Sequence, residues 1–227
     1  MALAVFLITS NVRLAFNSLS LYEFGFARHR VSETTGLTRQ QLSDVGRQIR
    51  DYFNSSEVLL DVGIPVDGGT QPLFNQREVL HMRDVKELVR EVYRVQEGAF
   101  LTLFLFATAG FFILGNWFPT QLRRLLVQGS VLTVTVVGLV AMVSVVAFGP
   151  LFRLFHQLGF ANDLWQLDPA TSYLVRLFPF GFWLESTLLI GLASVVESVA
   201  ILLLLLLIRW WRDWRQRIAQ RKAPQFI

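Results

Sequence analysis

Cysteine is absent from this chain of 227 residues, and histidine occurs only three times. Without cysteine there are no disulfide bonds, no thiol nucleophile and no thiolate metal ligand. No G-x-S-x-G motif marks a nucleophilic serine, and no H-E-x-x-H motif marks a zinc protease. The sequence therefore gives no support for covalent serine or cysteine catalysis, and imidazole chemistry is limited to His29, His81 and His156.

Charged residues are also scarce, at 17%, whereas hydrophobic residues make up 53% of the chain. This balance is typical of a membrane protein rather than a soluble globular domain. A helix needs about 20 mostly apolar residues to cross a bilayer. The segments 1–18, 99–118, 127–152 and 182–208 fit this description best, and the third is expected to end at Gly149 and Pro150. We expect residues 1–18 to be a span rather than a signal peptide, because no basic n-region precedes them.

Basic residues in short flanking segments predict the orientation, because such segments tend to remain in the cytoplasm. Arg123, Arg124 and the basic tail 209–227 are of this kind. Both termini are therefore predicted to be cytoplasmic, and the segments 19–98 and 153–181 extracytoplasmic. The tail favours contact with an anionic inner leaflet and indicates no nucleic-acid partner.

The segment 19–98 is predicted to be a small α+β insertion. GLTRQQLSDVGRQIRDYFNSS is typical of an amphipathic helix capped by Thr38, and the turn residues 67–69 predict a short β-hairpin after it. A second helix is predicted to begin at the cap Asn75, with Glu78 returning the capping bond, and to continue through Gly98 into the second span. The fold class is thus an all-α membrane protein of four transmembrane helices with this insertion.

The segment 153–181 is too aromatic for a solvated connector. We expect it to fold back onto the membrane surface, where aromatic rings are favoured. Its aromatic residues, with their immediate neighbours, are Phe152, Phe155, Phe160, Trp165, Tyr173, Phe178, Phe180, Phe182 and Trp183.

The candidate site centres on two histidines. His81 and Asp84 share one side of a helix, where the carboxylate would orient the imidazole, although a plain helix surface is the commoner meaning of such spacing. His156 is expected just past the third span, on the same side of the membrane as His81. The alternative is a pair of hydrogen-bonded interfacial histidines, and His29 is expected to be a solvated loop residue. The polar and aromatic neighbours of His156 are Asn162, Asp163 and Trp165.

Two acidic residues fall within the fourth span. Glu197, near its middle, should face the bundle and be paired or protonated, and Glu185 lies nearer the outer side. Arg13 is the expected partner of Glu185, although Arg13 with Asn11 would also suit a lipid headgroup or ester oxygen. We favour a structural clamp for the acids over a proton or substrate path. A zinc site built from both candidate histidines and a nearby aspartate is disfavoured, so neither metal nor cofactor is predicted.

Three stretches resemble a known family. LYEFGFARHRVSETTGL, LFNQREVLHMRDVKEL and FHQLGFANDLWQLDPAT are similar, in order and spacing, to a bacterial family of four-span integral membrane proteins that includes the lipoprotein intramolecular transacylase. The resemblance implies an enzyme of the bacterial plasma membrane that moves the sn-2 acyl chain of a diacylglyceryl lipoprotein onto the α-amino group of its N-terminal cysteine. It also implies that His81 and His156 are catalytic.

The residues suit that chemistry. Donor and acceptor lie in one substrate, so no enzyme nucleophile is required, and histidine can accept or donate a proton near neutral pH. We take His81, oriented by Asp84, as the base and His156 as the acid, an assignment that the sequence leaves reversible. Asn162 or Asp163 would support His156, and Arg13 and Trp165 would contact the substrate. The alternatives are a non-catalytic membrane protein that binds lipid or a partner, and a transporter using Glu197.

Overall fold

The structure is a computed structural model that describes residues 1–66 and 69–222. Most of these residues are helical. In chain order the elements are α1 (Ala2–Asn17), α2 (Leu19–Arg28), α3 (Val31–Thr35), α4 (Arg39–Asn54), β1 (Gly63–Val66), β2 (Gly69–Pro72), α5 (Gln76–Leu114), α6 (Phe118–Gly159), α7 (Tyr173–Leu177) and α8 (Phe180–Lys222), with a 3-10 turn at Gly115–Trp117.

The insertion after α1 contains the predicted helix and hairpin. Thr38 and Gln41 form a reciprocal capping box that begins α4. Strands β1 and β2 pair antiparallel, with Gly63 opposite Pro72, which confirms the hairpin. The predicted turn residues Asp67 and Gly68 lie outside the described residues. The short helices α2 and α3 were not predicted; α2 begins after a bend of 72° from α1.

The insertion has its own hydrophobic core, to which α2, α4, the hairpin, the start of α5 and α7 contribute. Phe178 and Phe182 are buried there: Phe178 packs with Tyr22 and Phe26, and Phe182 packs on Phe178. These two rings were expected at the membrane surface. The expectation was wrong for them because Leu174 and Leu177 of α7 anchor the segment in this core. Members of the core include Tyr22, Phe26, Val31, Leu42, Val45, Ile49, Phe53, Met82, Val89, Leu177 and Phe178.

The helices α5 and α6 form a long antiparallel hairpin. At one end Gly110 of α5 packs closely on the Phe118 ring, and at the other end His81 lies beside His156. As predicted, α5 begins at its Asn75 cap and runs through Gly98 into the apolar segment. The capped polar start of α5 and the end of α6 therefore lie at the same end of the hairpin.

The end predicted for the third apolar segment was wrong. The helix α6 continues through Pro150 to Gly159, with a kink at Ala147, where φ is −144° and ψ is 46°. Proline lacks the N–H that would bond to the carbonyl four residues earlier, and its ring crowds that carbonyl, so it bends the helix. The helical pattern resumes after the kink. His156 consequently lies on the last turns of α6 rather than in a loop.

Two helical stretches are long and apolar enough to cross a membrane among the described residues. They are Gln76–Gly159, which contains α5 and α6, and Phe180–Ile218; the bent pair of α1 and α2 would make a third. Close packing of α1 and α8 on α6 depends on small residues. At Gly129 an added Cβ would lie 2.8 Å from Leu3, and at Gly191 it would lie 3.0 Å from Val137.

Candidate active site

The site begins with His81 on the second turn of α5. Asn75 accepts a hydrogen bond from the Glu78 backbone N–H, and the Glu78 side chain accepts one from the Asn75 N–H, so the helix start is fixed. His81 is 6% exposed, and its ring centroid lies 6.1 Å from that of His156. The two histidines expected on the same side of the membrane are therefore adjacent.

His156 is held in a defined orientation by the backbone of α6. Its Nδ1 lies 2.7 Å from the carbonyl oxygen of Phe152. A carbonyl only accepts, so Nδ1 carries the proton and Nε2 of the neutral ring is an acceptor. Aromatic rings surround the imidazole at centroid distances of 4.3 Å for Phe152, 5.2 Å for Trp165 and 5.5 Å for Phe160.

Burial keeps both imidazoles neutral. It lowers the pKa of His81 from 6.5 to about 4, His156 lowers it further by repulsion, and Asp84 opposes these effects. Burial also lowers the pKa of His156, against the opposing effect of its bond to Phe152. Both residues lie outside the apolar segments 99–118 and 127–152. The Nδ1 atom of His81 is buried and has no hydrogen-bond partner within the described residues.

Asp84 does not orient His81 as expected. Its Oδ1 accepts from Arg83 Nη2 at 2.9 Å, and its Oδ2 accepts from Asn162 Nδ2 at 2.8 Å. Within the described part of the chain, Asp84 makes no hydrogen bond to His81. A guanidinium and an amide lie within reach and use both carboxylate oxygens. Asp84 therefore joins α5 to the loop after α6 and acts on His81 only through its charge.

That loop covers the histidine pair. Besides the bond from Asn162 to Asp84, Arg77 of α5 donates to the backbone carbonyl of Asp163. The Asp163 side chain accepts from Gln166 at 2.9 Å, so it stabilises the loop itself. These contacts place Trp165 against His156. The structure thus brings His81, His156, Asp84, Asn162 and Trp165 together.

Sequence reasoning underrated one residue of this region. Glu78 was predicted only as a capping residue, yet its side chain is 1% exposed and also accepts hydrogen bonds from Ser172 and from the Leu174 N–H. The capping motif was the only sequence signal for it. The partners beyond position 170 come into contact only through the tertiary fold.

The predicted pair of Arg13 and Glu185 is not formed. Arg13 donates to Gln96 and Glu97 of α5, each at 2.9 Å. Glu185 instead lies 3.1 Å from Nε2 of His29, whose side chain is 18% exposed, so the expectation that His29 is solvated was also wrong. The bend after α1 is the reason, because α1 packs on α5 while α2 carries His29 towards the start of α8.

Glu197 faces α1 inside the bundle. Its Oε2 accepts a hydrogen bond from Asn11 Nδ2 at 2.8 Å, and the same amide lies 3.2 Å from Ser194 Oγ. The contact joins α1 to α8 and agrees with the need of a carboxylate at this depth for a polar partner. Within the described ranges, the histidine and acidic side chains form no group of three that would hold a metal ion.

The apolar helices, the small core of the insertion and the buried imidazole pair define a helical integral membrane protein with a polar site at one end of its bundle. The chain belongs to the family of the lipoprotein intramolecular transacylase Lit, whose family model matches residues 1–183. This finding confirms the resemblance drawn from the sequence.

Solved structures show the same fold. The in meso structure of the membrane integral lipoprotein intramolecular transacylase Lit from Bacillus cereus matches with a TM-score of 0.75 at 17% identity, over 95% of this chain and 93% of that chain. A variant of that protein with a histidine replaced by alanine matches with a TM-score of 0.67 at 18% identity, over 93% and 91%. An uncharacterized protein of Aquifex aeolicus is 23% identical over 129 residues, so the alignment spans 57% of this chain and 55% of that relative.

Proposed function

We propose that the protein is a lipoprotein intramolecular transacylase. It would move the sn-2 acyl chain of a diacylglyceryl lipoprotein to the α-amino group of that lipoprotein's N-terminal cysteine and leave the lyso-form. The observation that carries the proposal is the pair of buried imidazoles, whose centroids lie 6.1 Å apart beneath an aromatic loop. Membership of the Lit family supports the substrate and the reaction.

The reaction needs proton transfer and no enzyme nucleophile. The neutral amine attacks the ester carbonyl carbon, and a carbon–nitrogen bond forms. The amine then loses a proton to a histidine, the bond to the sn-2 oxygen breaks, and that oxygen receives a proton. The products are an amide and a free hydroxyl, so no atom or electron is needed from outside. Positioned acid–base groups of this kind contribute about 10²- to 10⁴-fold in rate.

The hydrogen bond of His156 favours the reverse of the assignment expected from the sequence. Because Nδ1 of His156 donates to Phe152, its Nε2 is the acceptor and suits the base that takes the amine proton and returns it to the sn-2 oxygen. Burial lowers the pKa of His81 to about 4, so this imidazole is neutral at pH 7. A neutral imidazole in a buried site can donate its N–H to the developing oxyanion.

Substrate contacts follow from the surroundings. We propose that Trp165, which packs on His156, contacts the bound glyceryl or acyl portion, and that Asn162 and Asp84 hold the loop while it does so. Arg13 lies beside Gln96, 15 residues along α5 from His81, or about 22 Å at 1.5 Å per residue. Its proposed contact is therefore a lipid headgroup or ester oxygen outside the histidine site.

We propose a four-span topology in a bacterial plasma membrane. The spans are α1, the segment 99–118 at the end of α5, the segment 127–152 of α6 and the segment 182–208 of α8. Arg123 and Arg124 near the α5–α6 turn, together with the basic end of α8, support a cytoplasmic inner face. The histidine pair and the folded insertion then lie on the outer side, where a lipoprotein substrate is exposed.

The function is tested by the mass of a lipopeptide. His81→Ala and His156→Ala are expressed in a lipoprotein-producing bacterial strain, with His29→Ala as the matched control, and a tryptic N-terminal lipopeptide is weighed. We expect the lyso-form with the wild type and with His29→Ala, and only the diacyl form with the other two variants. Lyso-form product from both site variants would refute the proposal and favour a non-catalytic membrane protein that binds lipid or a partner.

A further inference from the structure

Glu78 is a buried carboxylate to which the proposed proton transfers assign no role. Its side chain is 1% exposed, and none of the ion pairs among the described residues includes it. Oε1 accepts from Ser172 Oγ at 2.6 Å and from the Leu174 N–H at 2.7 Å. Oε2 accepts from the Asn75 N–H at 2.8 Å. A buried charge is costly unless donors surround it, so this arrangement is a built structural site.

The two oxygens serve different parts of the molecule. Oε2 closes the capping box of α5, one turn before His81. Oε1 reaches the Ser172 side chain and the first turn of α7, which follows the loop over the histidine pair. A single side chain therefore fixes the start of the helix that carries His81 and the far end of the loop that carries Trp165.

The loop 160–172 is anchored to the first turns of α5 at three points. Arg77 donates to the Asp163 carbonyl, Asp84 accepts from Asn162, and Glu78 accepts from Ser172. The first two anchors lie at the near end of the loop, on exposed residues of the loop. Of these three anchors, only the one between Glu78 and Ser172 has both side chains buried, each 1% exposed.

We propose that Glu78 is a positioning residue that holds the far end of loop 160–172 and thereby keeps Trp165 and Phe160 packed on the His81 and His156 rings. The effect on turnover rests on the proposed function, whereas the effect on the loop does not. The Phe160 ring packs on both imidazoles, with centroid distances of 5.2 Å to His81 and 5.5 Å to His156. Release of the loop would therefore open the site to water.

The need for a carboxylate follows from counting acceptors. The donors from Asn75 and Leu174 are backbone N–H groups and cannot reverse their role. A glutamine has one acceptor oxygen, so it would satisfy either the α5 cap or the α7 anchor, and its amide would face the other N–H. Alanine would satisfy neither. Glu78→Gln should therefore be intermediate between the wild type and Glu78→Ala.

The experiment uses the full chain in detergent and has two readouts. The first is amide hydrogen exchange of a peptide covering residues 160–174, compared with a peptide from α4. The second is kcat and KM for a synthetic diacylglyceryl lipopeptide. The variants are Glu78→Ala, Glu78→Gln and Ser172→Ala, which removes the hydroxyl that donates to Glu78 and caps α7 but keeps the carboxylate and the α5 cap. Glu87→Gln, an exposed glutamate on the same helix, is the matched control.

We expect amide exchange of residues 160–174 to be at least about tenfold faster in Glu78→Ala than in the wild type, because this change removes a hydrogen bond to a charged group. Amide exchange of α4 should be unchanged. The kcat should fall by a similar factor with KM less affected, and Glu87→Gln should match the wild type. In a Trp165→Ala background, Glu78→Ala should add little further loss of kcat, because both changes act through the same contact.

Loop exchange that is unchanged in both Glu78→Ala and Ser172→Ala would overturn the proposal. Uniform acceleration of exchange across α4 and the loop in Ser172→Ala, or a kcat loss that multiplies with that of Trp165→Ala, would also overturn it, since Glu78 would then act on overall stability alone. If the wild type forms no lyso-product, the proposed function fails, and the exchange of 160–174 still decides the role of Glu78.

Discussion

The neutral state of His81 makes the protein sensitive to acid. The perturbation is a change from pH 7.5 to pH 4.5, applied to the wild type and to His81→Gln, which has no titrating group at this position. Burial lowers the pKa of His81 in the folded protein from 6.5 to about 4. Between these two values the unfolded chain binds more protons than the folded chain, so stability must fall as the pH falls.

The magnitude follows from the two pKa values. Between pH 7.5 and pH 4.5, protonation of His81 in the unfolded chain lowers the free energy of unfolding by about 2.5 kcal/mol. Most of this decrease occurs below pH 6.5. For a chain of this size, that loss corresponds to about 5 to 10 °C in Tm. Over the same pH range, the Tm of His81→Gln should therefore fall by roughly that much less than the Tm of the wild type. The lowered pKa of His156 adds acid sensitivity to both proteins.

The assay is thermal unfolding in detergent, followed by circular dichroism at intervals of half a pH unit. The difference in Tm between His81→Gln and the wild type should grow as the pH falls from 6.5 to 4.5. A His29→Gln variant is the control, because His29 is paired with Glu185 away from the site. Parallel curves for the wild type and His81→Gln would refute the argument that burial keeps His81 neutral.

Two other changes test the contacts around the site and in the bundle. Asn162 Nδ2 lies 2.8 Å from Asp84 Oδ2, so Asn162→Asp places a second carboxylate against Asp84. The kcat for the lipopeptide should fall about tenfold, and it should recover when Asp84→Asn is added. No recovery would contradict a role for this contact in holding the loop. Asn11→Leu removes the bond to Glu197 and should cost about 0.6 to 1.7 kcal/mol, seen as a Tm a few degrees lower, whereas an unchanged Tm would show that this bond does not stabilise the bundle.

The features that local chemistry decides could be predicted from the sequence. The capping residues Thr38 and Asn75 begin α4 and α5 as predicted, because each satisfies the free N–H groups of its own helix. The hairpin before α5 was equally local. The low charge and long apolar runs indicated a membrane protein, since the bilayer demands about 20 apolar residues from each spanning helix. The family resemblance was carried by short stretches around His81 and His156.

Errors arose where a residue had several possible partners. Arg13 and Glu185 were paired because both lie near the ends of apolar segments, but the bend after α1 gave each a nearer partner. Asp84 was assigned to His81 by helical spacing, although Arg83 and Asn162 use its oxygens. Pro150 was taken as a helix end, whereas α6 continues past it through a kink at Ala147 and packs there on Phe180 of α8. Sequence spacing limits which residues can meet, and it does not rank competing partners.

The sequence by itself determined the membrane class, the caps of the main helices and which residues have proton-transfer chemistry, because these depend on composition and on neighbours within a few positions. Only the tertiary structure decided that His81 and His156 are adjacent, that Phe152 sets the tautomer of His156 and that Glu78 reaches Ser172. His81 and His156 are separated by 75 positions of chain. Their approach depends on the antiparallel return of α6 along α5, which brings the start of one helix to the end of the other.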